Sequence, residues 1–365
     1  MRSVAVMTRK ENKKMAAADE ERRFFVGVDV HKASFSATVV DEKCRVVGKT
    51  KMPAGSDALI KYLKRFMPSR MKVCYEAGGF GYRLYDDLRA AGLEACVVAP
   101  SMMYKKIGER VKTDDRDSRE LATQLCRGML TVVDVPEVSR RAHRQILRLY
   151  DQVKKERQRV MVRIKAFLRF HGVKTPHDLA ATWSRRHVSW LKSIEFENDD
   201  EGCLAFARDE YISQYEFLCA RERSVRSKLM GLAKLPAYER KVQVLCSKKG
   251  MGKLTALRLL LETGRFARFK NSRKYTSYLG LTPSERSSGE KQRRGSITGY
   301  GNFALRSSLV EVAWIVVRHD SSLRHTYHML SRRRGGMRAI VAIARKFAIK
   351  LYWMMREEEL MEEAA

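Results

Sequence analysis

Asp29 interrupts an otherwise apolar, strand-like run, FFVGVDV (24–30). A carboxylate carried toward a core is costly unless a cation, a metal ion or water meets it there. Three further acids could share such a site. Glu76 ends the run MKVCYE just before Ala77, Gly78 and Gly79, and strand ends collect at one edge of a sheet. In KTDDRDSRELATQL (112–125) Asp114 and Asp117 are three residues apart, on one stripe of a helix, while Asp115 points elsewhere. Four acids from three elements can hold two hard divalent ions through oxygen ligands. Phosphodiester chemistry uses that arrangement, one ion activating the attacking oxygen and the other stabilising the leaving one. A plainer reading also fits. Asp114 can be a helix N-cap, Asp117 a first-turn acid favoured by the helix dipole, and Asp29 a core acid paired with Lys32 or an arginine.

The C-terminal half offers a second constellation. In CSKKGMGKLTALRLLLETG (246–264) glycines open a helix, but Leu254 follows Lys253 and the spacing to Gly250 does not make a nucleotide-binding phosphate loop. Backbone N–H groups at such a turn, with Lys248, Lys249 and Lys253 beside them, suit a helix-hairpin-helix-like grip on a nucleic-acid backbone. A plain tight turn is the alternative. In YLGLTPSERSSGEKQRRGSITGYGNFALR (278–306), Ser287, Ser288 and Gly289 share a loop with Arg286, Lys291, Arg293 and Arg294. A serine nucleophile needs an exposed hydroxyl and cations that offset phosphate charge. A solvated Ser/Gly loop has the same composition.

The elements that must position these residues follow from periodicity. Alternation predicts strands at 24–30, 34–41 and 44–51, then a helix over 56–67, a strand over 71–79, a helix over 82–92 and a strand over 93–100. Three antiparallel strands followed by alternating helix and strand make a mixed α/β sheet. From 137 to 171 the chain reads as one long helix with an apolar seam of Ala142, Ile146, Leu149, Val153, Val160, Ile164 and Phe167. A polar stretch follows to about 210, and a second helix carries Leu218, Val225, Leu229 and Leu232. An antiparallel hairpin and a coiled-coil dimerisation arm fit this spacing equally. Residues 242–330 read as helical and rich in Gly and Arg, with a final amphipathic helix at 337–355.

Composition limits the partners. The 365 residues carry 73 Lys and Arg against 42 Asp and Glu, a formal charge of +31, which favours a polyanion such as nucleic acid. Seven scattered cysteines without a CxxC pair fit a reducing compartment and argue against a zinc ribbon or disulfide scaffold. No apolar run is long enough to span a bilayer, and the basic N-terminus lacks a signal-peptide core.

GVDVHK, YEAGG and KTDDRDSRELA resemble the DEDD motifs of the Piv-like insertion-sequence transposases, the one-ten family. YLGLTP, then SG, then GNFALR is similar to that family's second conserved domain. The resemblance covers 24–135 and 242–325. It implies an RNase-H-like (RuvC-like) domain in which Asp29, Glu76, Asp114 and Asp117 bind Mg²⁺, two ions per site. It also implies a serine transposase domain whose nucleophile directly precedes the glycine, Ser288 here, with Ser287, Ser284 and Ser296 near enough to keep the assignment open. The implied partners are donor and target DNA, a bridge RNA, and further copies of the chain, a dimer assembling to a tetramer on DNA, with acids and serine from different subunits. The expected order is a basic disordered leader (1–23), the RuvC-like domain (24–135), a helical coiled-coil arm with a polar insertion (136–240), a mostly helical serine domain (241–330), and a basic segment with a last helix (331–365). The expected setting is the cytoplasm, at the bacterial nucleoid, with no membrane partner. The rival readings are a metal-dependent nuclease or junction resolvase using the acids alone, an actin-like-fold kinase, and a non-catalytic nucleic-acid-binding protein.

Overall fold

The computed structural model describes residues 23–66, 70–99, 114–179, 183–197, 199–285 and 294–364; the expected leader, except Arg23, lies outside them. The chain forms two compact units, 1–135 and 136–365.

The first unit is a mixed sheet in the order β3-β2-β1-β4-β5-β6. β1 (Phe24–Val30), β2 (Ser34–Val40) and β3 (Val46–Pro53) form an antiparallel meander. Helix α1 (Ser56–Leu63) leads to β4 (Met71–Glu76), and α2 (Arg83–Ala90) leads to β5 (Glu94–Val98); β1, β4 and β5 are parallel. Helix α3 (Asp114–Cys126) and the short antiparallel β6 (Val132–Val133) complete the unit. Strand alternation sorts the side chains. Val26, Val28, Val73, Tyr75 and Val97 pack with Leu59, Leu63, Leu84 and Leu88 of α1 and α2. Phe25, Cys74, Cys96 and Val98 pack with Leu121 and Leu125 of α3.

β3 starts two residues later than alternation predicts. The reason is a tight turn in which Asp41 accepts from the N–H groups of Lys43 and Arg45 while Cys44 adopts a left-handed φ of 58°. Helices α1 and α2 are also shorter than predicted at their C-terminal ends.

The second unit begins with α4 (Val138–Phe170), α5 (Arg185–Lys192) and α6 (Cys203–Leu232). α4 and α6 form a hairpin within the chain, sealed by Val153, Val160, Ile164 and Leu168 against Ile212, Tyr215 and Leu218. Nearer its base the buried residues of α4 are Leu147 and Tyr150, whereas Ile146 and Leu149 are only partly buried. The seam is therefore rotated by one residue from the predicted one there, because Tyr150 reaches inward beside the Arg157–Glu222 ion pair (2.6 Å) and the predicted heptad gave no weight to an aromatic at that position. The stretch read as polar holds α5, whose Ser184 N-cap accepts from the N–H of His187.

Beyond it come α7 (Glu239–Cys246), α8 (Lys253–Thr263), a 3-10 turn (Phe266–Arg268), α9 (Ser272–Tyr278), the two-stranded β7 (Pro283–Glu285) and β8 (Arg294–Ile297), then α10 (Phe303–His319), α11 (Ser321–Arg334) and α12 (Gly336–Ala364). One core joins the base of the hairpin to all these helices, from Leu147 to Met355. Deep in it, Glu359 of α12 accepts from the N–H groups of Phe266 (2.6 Å) and Ala267 (2.8 Å), satisfying the start of the 3-10 turn.

Candidate catalytic acids and the serine hairpin

The acid site is built where β1 leaves the sheet beneath the first turn of α3. Gly27 makes that contact possible, since any Cβ there would meet the backbone of Ser118 and Ala122 and the side chain of Leu121. Over this crossing Thr38 and Ser118 share a buried hydroxyl hydrogen bond of 2.8 Å. One pleat further on, Asp29 points to the same face as Gly27. Val28 faces Tyr75 in the parallel ladder, so Asp29 and Glu76 are the next positions along adjacent strands. The first turn of α3 brings Asp114 and Asp117 over this edge, and three acids in that turn suit the positive end of the helix dipole.

Asp29 is met by His31, whose Nε2 lies 3.0 Å from Asp29 Oδ2 and 3.4 Å from Asp114 Oδ1. Lys51 of β3 donates to Asp114 Oδ2 (2.9 Å), and Lys49 donates to Asp115 (2.7 Å). These lysines share the face of Asp29, because Lys51 pairs with Ser36 and Ser36 with Asp29 across the meander. Burial raises the Asp29 carboxyl above its ordinary range; His31 opposes this, and the charges of Asp117 and Asp114 add to it. The hydrogen bond from Lys51 chiefly holds Asp114 below its ordinary range. One carboxyl resists ionisation and another favours it. A divalent cation relieves the first and finds the second ready. Asp29, His31 and Asp114 each offer a ligand atom within 4.8 Å of the other two, so the donor set fits a metal ion. Glu76, more exposed, ends β4 at the same edge.

In the second unit, β7 and β8 form a hairpin whose strands leave and return at one clamp. Gly301 approaches Gly280 so closely that a Cβ on Gly301 would lie 2.7 Å from the Cα of Gly280. The N–H of Asn302 bonds to Tyr278 O (2.9 Å), and that of Thr298 to Thr282 O (3.0 Å). Asn302 caps α10 through the N–H of Leu305 and donates its amide to Glu262 (3.2 Å), which also takes the guanidinium of Arg144 (2.6 Å). The stretches YLGLTP and GNFALR are thus brought together at the base of the hairpin. Ser287, Ser288, Arg286, Lys291 and Arg293 fall outside the described residues, while Arg294 opens β8. Ser284 donates to Ser296 O across the hairpin (3.0 Å). Between α7 and α8, Lys248 and Lys249 are exposed beside Gly250, whose φ is +90°, and Lys253 is exposed at the start of α8. Met251 is buried under that turn.

A profile described as transposase of the IS116/IS110/IS902 family matches residues 242–328, and a DEDD transposase profile of IS110 elements matches residues 26–172. The chain is 32% identical over 305 residues to y4qE of Sinorhizobium fredii, named as a transposase, covering 82% of this chain and 73% of that one. It belongs to the IS110/IS116 family of transposases. Other relatives are the transposase for insertion sequence element IS1533 of Leptospira borgpetersenii (27% identity; 92% and 96% of the two chains) and that for IS1111A of Coxiella burnetii (24%; 92% and 90%).

As a member of this family the chain is a DNA transposase acting on DNA, and its DEDD-type domain points to dependence on a divalent metal. Among the described residues no helix is long and apolar enough to cross a membrane. Three residues at the transposase's acid site escaped the sequence reading: His31, Lys49 and Lys51. His31 had a signal, since a residue two after Asp29 leaves a strand on the same face. The lysines had none, because their reach to α3 depends on the register of β2 and β3.

Proposed function

We propose that this transposase is an RNA-guided DNA recombinase in which Asp29, Glu76, Asp114 and Asp117 position the scissile phosphate and Ser288 attacks it. The observation that carries this reading is the convergence of Asp29 from β1 with Asp114 from the first turn of α3, beside the end of β4 that bears Glu76. The strand order β3-β2-β1-β4-β5, with helices between β3, β4 and β5 and α3 across β1, supports an RNase-H-like, RuvC-like reading of the first unit. Bound Mg²⁺, two ions held by the four acids, would supply Lewis-acid stabilisation of phosphate charge. The chain's own groups do the rest. Lys51 keeps one oxygen of Asp114 engaged and leaves the other facing His31, beside Asp29.

At the serine, the Oγ–P bond forms as the P–O bond to the neighbouring sugar breaks, and that sugar oxygen takes up a proton. The ester conserves the energy of the broken linkage, so the strand can later be rejoined to a new partner. Arg286, Lys291, Arg293 and Arg294 would offset phosphate charge at the loop, and Lys248, Lys249 and Lys253 would grip a nucleic-acid backbone through a helix-hairpin-helix-like turn. The charge of +31 supports binding donor DNA, target DNA and a bridge RNA together, and the proposal extends to a homo-oligomer, a dimer assembling to a tetramer, in the bacterial cytoplasm.

The test is to denature a reaction on labelled DNA and map the protein-bound label. Wild type should carry it on Ser288. Ser288→Ala should bind DNA and form no adduct, and Ser287→Ala should be milder. Cutting and joining at the wild-type rate by Ser288→Ala would leave the acids acting alone, as in a resolvase. Sequencing of the co-purifying RNA should return one species encoded beside the gene.

A further inference from the structure

We propose that His31 is a metal ligand, giving the subsite it shares with Asp29 and Asp114 a nitrogen vertex and a preference for Mn²⁺ over Mg²⁺. The inference rests on the reading of Asp29 and Asp114 as holding a divalent ion.

Three observations carry it. First, Asp29 and His31 are two apart where β1 ends, and the N–H of His31 is fixed to Ser34 O (3.0 Å), so both side chains leave the chain toward α3. Second, the imidazole reaches beyond the carboxylate of Asp29 that it hydrogen-bonds. Its Nε2 stands between acids of two elements, 3.0 Å from Asp29 Oδ2 and 3.4 Å from Asp114 Oδ1. Neighbouring ligands of a six-coordinate ion at metal–ligand distances near 2.1 Å are roughly 3 Å apart, so these are the separations of adjacent vertices. Third, the far oxygen of Asp114 is taken by Lys51, which leaves Oδ1 as the one facing His31. A histidine serving only to neutralise Asp29 has no need of the second contact. The imidazole side chain is also about half exposed, so an ion can reach it without disturbing the core.

The chemical consequence follows from ligand type. Carboxylates alone suit Mg²⁺ and Mn²⁺ alike, whereas an imidazole nitrogen adds affinity for transition ions, of which Mn²⁺ is the weakest binder, and adds less for the harder Mg²⁺.

The experiment uses the full-length, metal-free protein titrated with Mn²⁺. Electron paramagnetic resonance follows binding, and electron spin-echo modulation detects directly bound imidazole nitrogen. Wild type should show the nitrogen modulation. His31→Ala should lose it and bind Mn²⁺ at least about tenfold more weakly, with a smaller change for competing Mg²⁺. Asp29→Asn should weaken both ions. Mn²⁺ binding that depends on Asp29 but shows no nitrogen modulation, or a modulation that survives His31→Ala, overturns the role of His31 and leaves the acid site standing. Absence of any Asp29-dependent Mn²⁺ binding overturns both.

Discussion

Gly27 lies directly beneath Ser118, so close that a Cβ on the glycine would collide with the serine's carbonyl oxygen. That contact sets the height of α3 above β1, and with it the position of Asp114 relative to Asp29. Gly27→Ala should force α3 off the sheet. The expected outcome is a loss of about 1–3 kcal/mol in thermal or urea unfolding, as for overpacked cores. Recombination should fall by far more than DNA binding, and an unchanged rate in a destabilised variant would detach the acids from this crossing.

The acids should act as a group, with Asp115 apart from them. Asp29→Asn, Glu76→Gln, Asp114→Asn and Asp117→Asn are each expected to abolish strand exchange while gel-shift affinity for DNA stays near wild type. Asp115 faces Lys49 and is largely exposed, so Asp115→Asn should keep substantial activity. Equal loss at Asp115 would mean that the charge of the whole turn matters and not its inward stripe.

The first unit was largely legible in the sequence because each of its cues is local. Alternation marks β1 and β2, glycines stop β4 and α2, and an i,i+3 acid pair opens α3. What escaped depends on register. Lys51 reaches Asp114 only because β3 pairs with β2 through Ser36, and spacing along the chain carries no trace of that. The arm shows the same limit, since heptad counting found α4 but placed Ile146 and Leu149 inward where Leu147 and Tyr150 are buried. The clamp of Gly280 and Gly301 joins motifs about 20 residues apart through a φ of +68° and one of +102°, a conformation that residue types permit but do not announce.

The hairpin of α4 and α6 gives a sharp contrast between neighbouring valines. Val160 is 2% exposed in the seam and Val162 is 61% exposed on the outer face. Val160→Lys should cost about 3 kcal/mol or more in urea unfolding, because it buries a charge without a partner. Val162→Lys should stay within about 0.5 kcal/mol. Similar effects at both positions would place a second chain on the outer face.

Asp320, in the second unit, supplies a separate pH test. It caps α11 by accepting the N–H of Leu323 (2.9 Å) and also receives Lys350 (3.1 Å). The bond from Leu323, with Lys350 behind it, holds this carboxyl below its ordinary value. A lowered folded pKa means stability that is present above the unfolded value and lost as pH falls through the folded one. Asp320→Ala should therefore cost about 1 kcal/mol at neutral pH, the usual worth of such a cap. The difference from wild type should shrink below about pH 4. A gap that stays constant down the acid range would show that the cap works without its charge.

The clamp at the base of β7 and β8 predicts a kinetic defect. Gly301→Ala puts a methyl group against the backbone of Gly280 at a φ that strains any L-residue. Protein–DNA adduct formation in single-turnover assays should slow by at least about tenfold, as for groups that only position reacting atoms. Circular dichroism should remain that of a folded chain. Normal adduct kinetics would show that the loop finds its place without the clamp.

The core that runs from Leu147 to Met355 also orders events during synthesis. Asp29, Glu76, Asp114 and Asp117 belong to a unit complete by Val135, whereas the core of the second unit cannot close until α12 has been made. At ordinary translation rates the roughly 200 residues between them occupy about 10–40 s, and domains tend to fold as they emerge. A nascent chain therefore completes its first unit well before its second, and a message truncated ahead of α12 yields a product able to assemble the first but not the second.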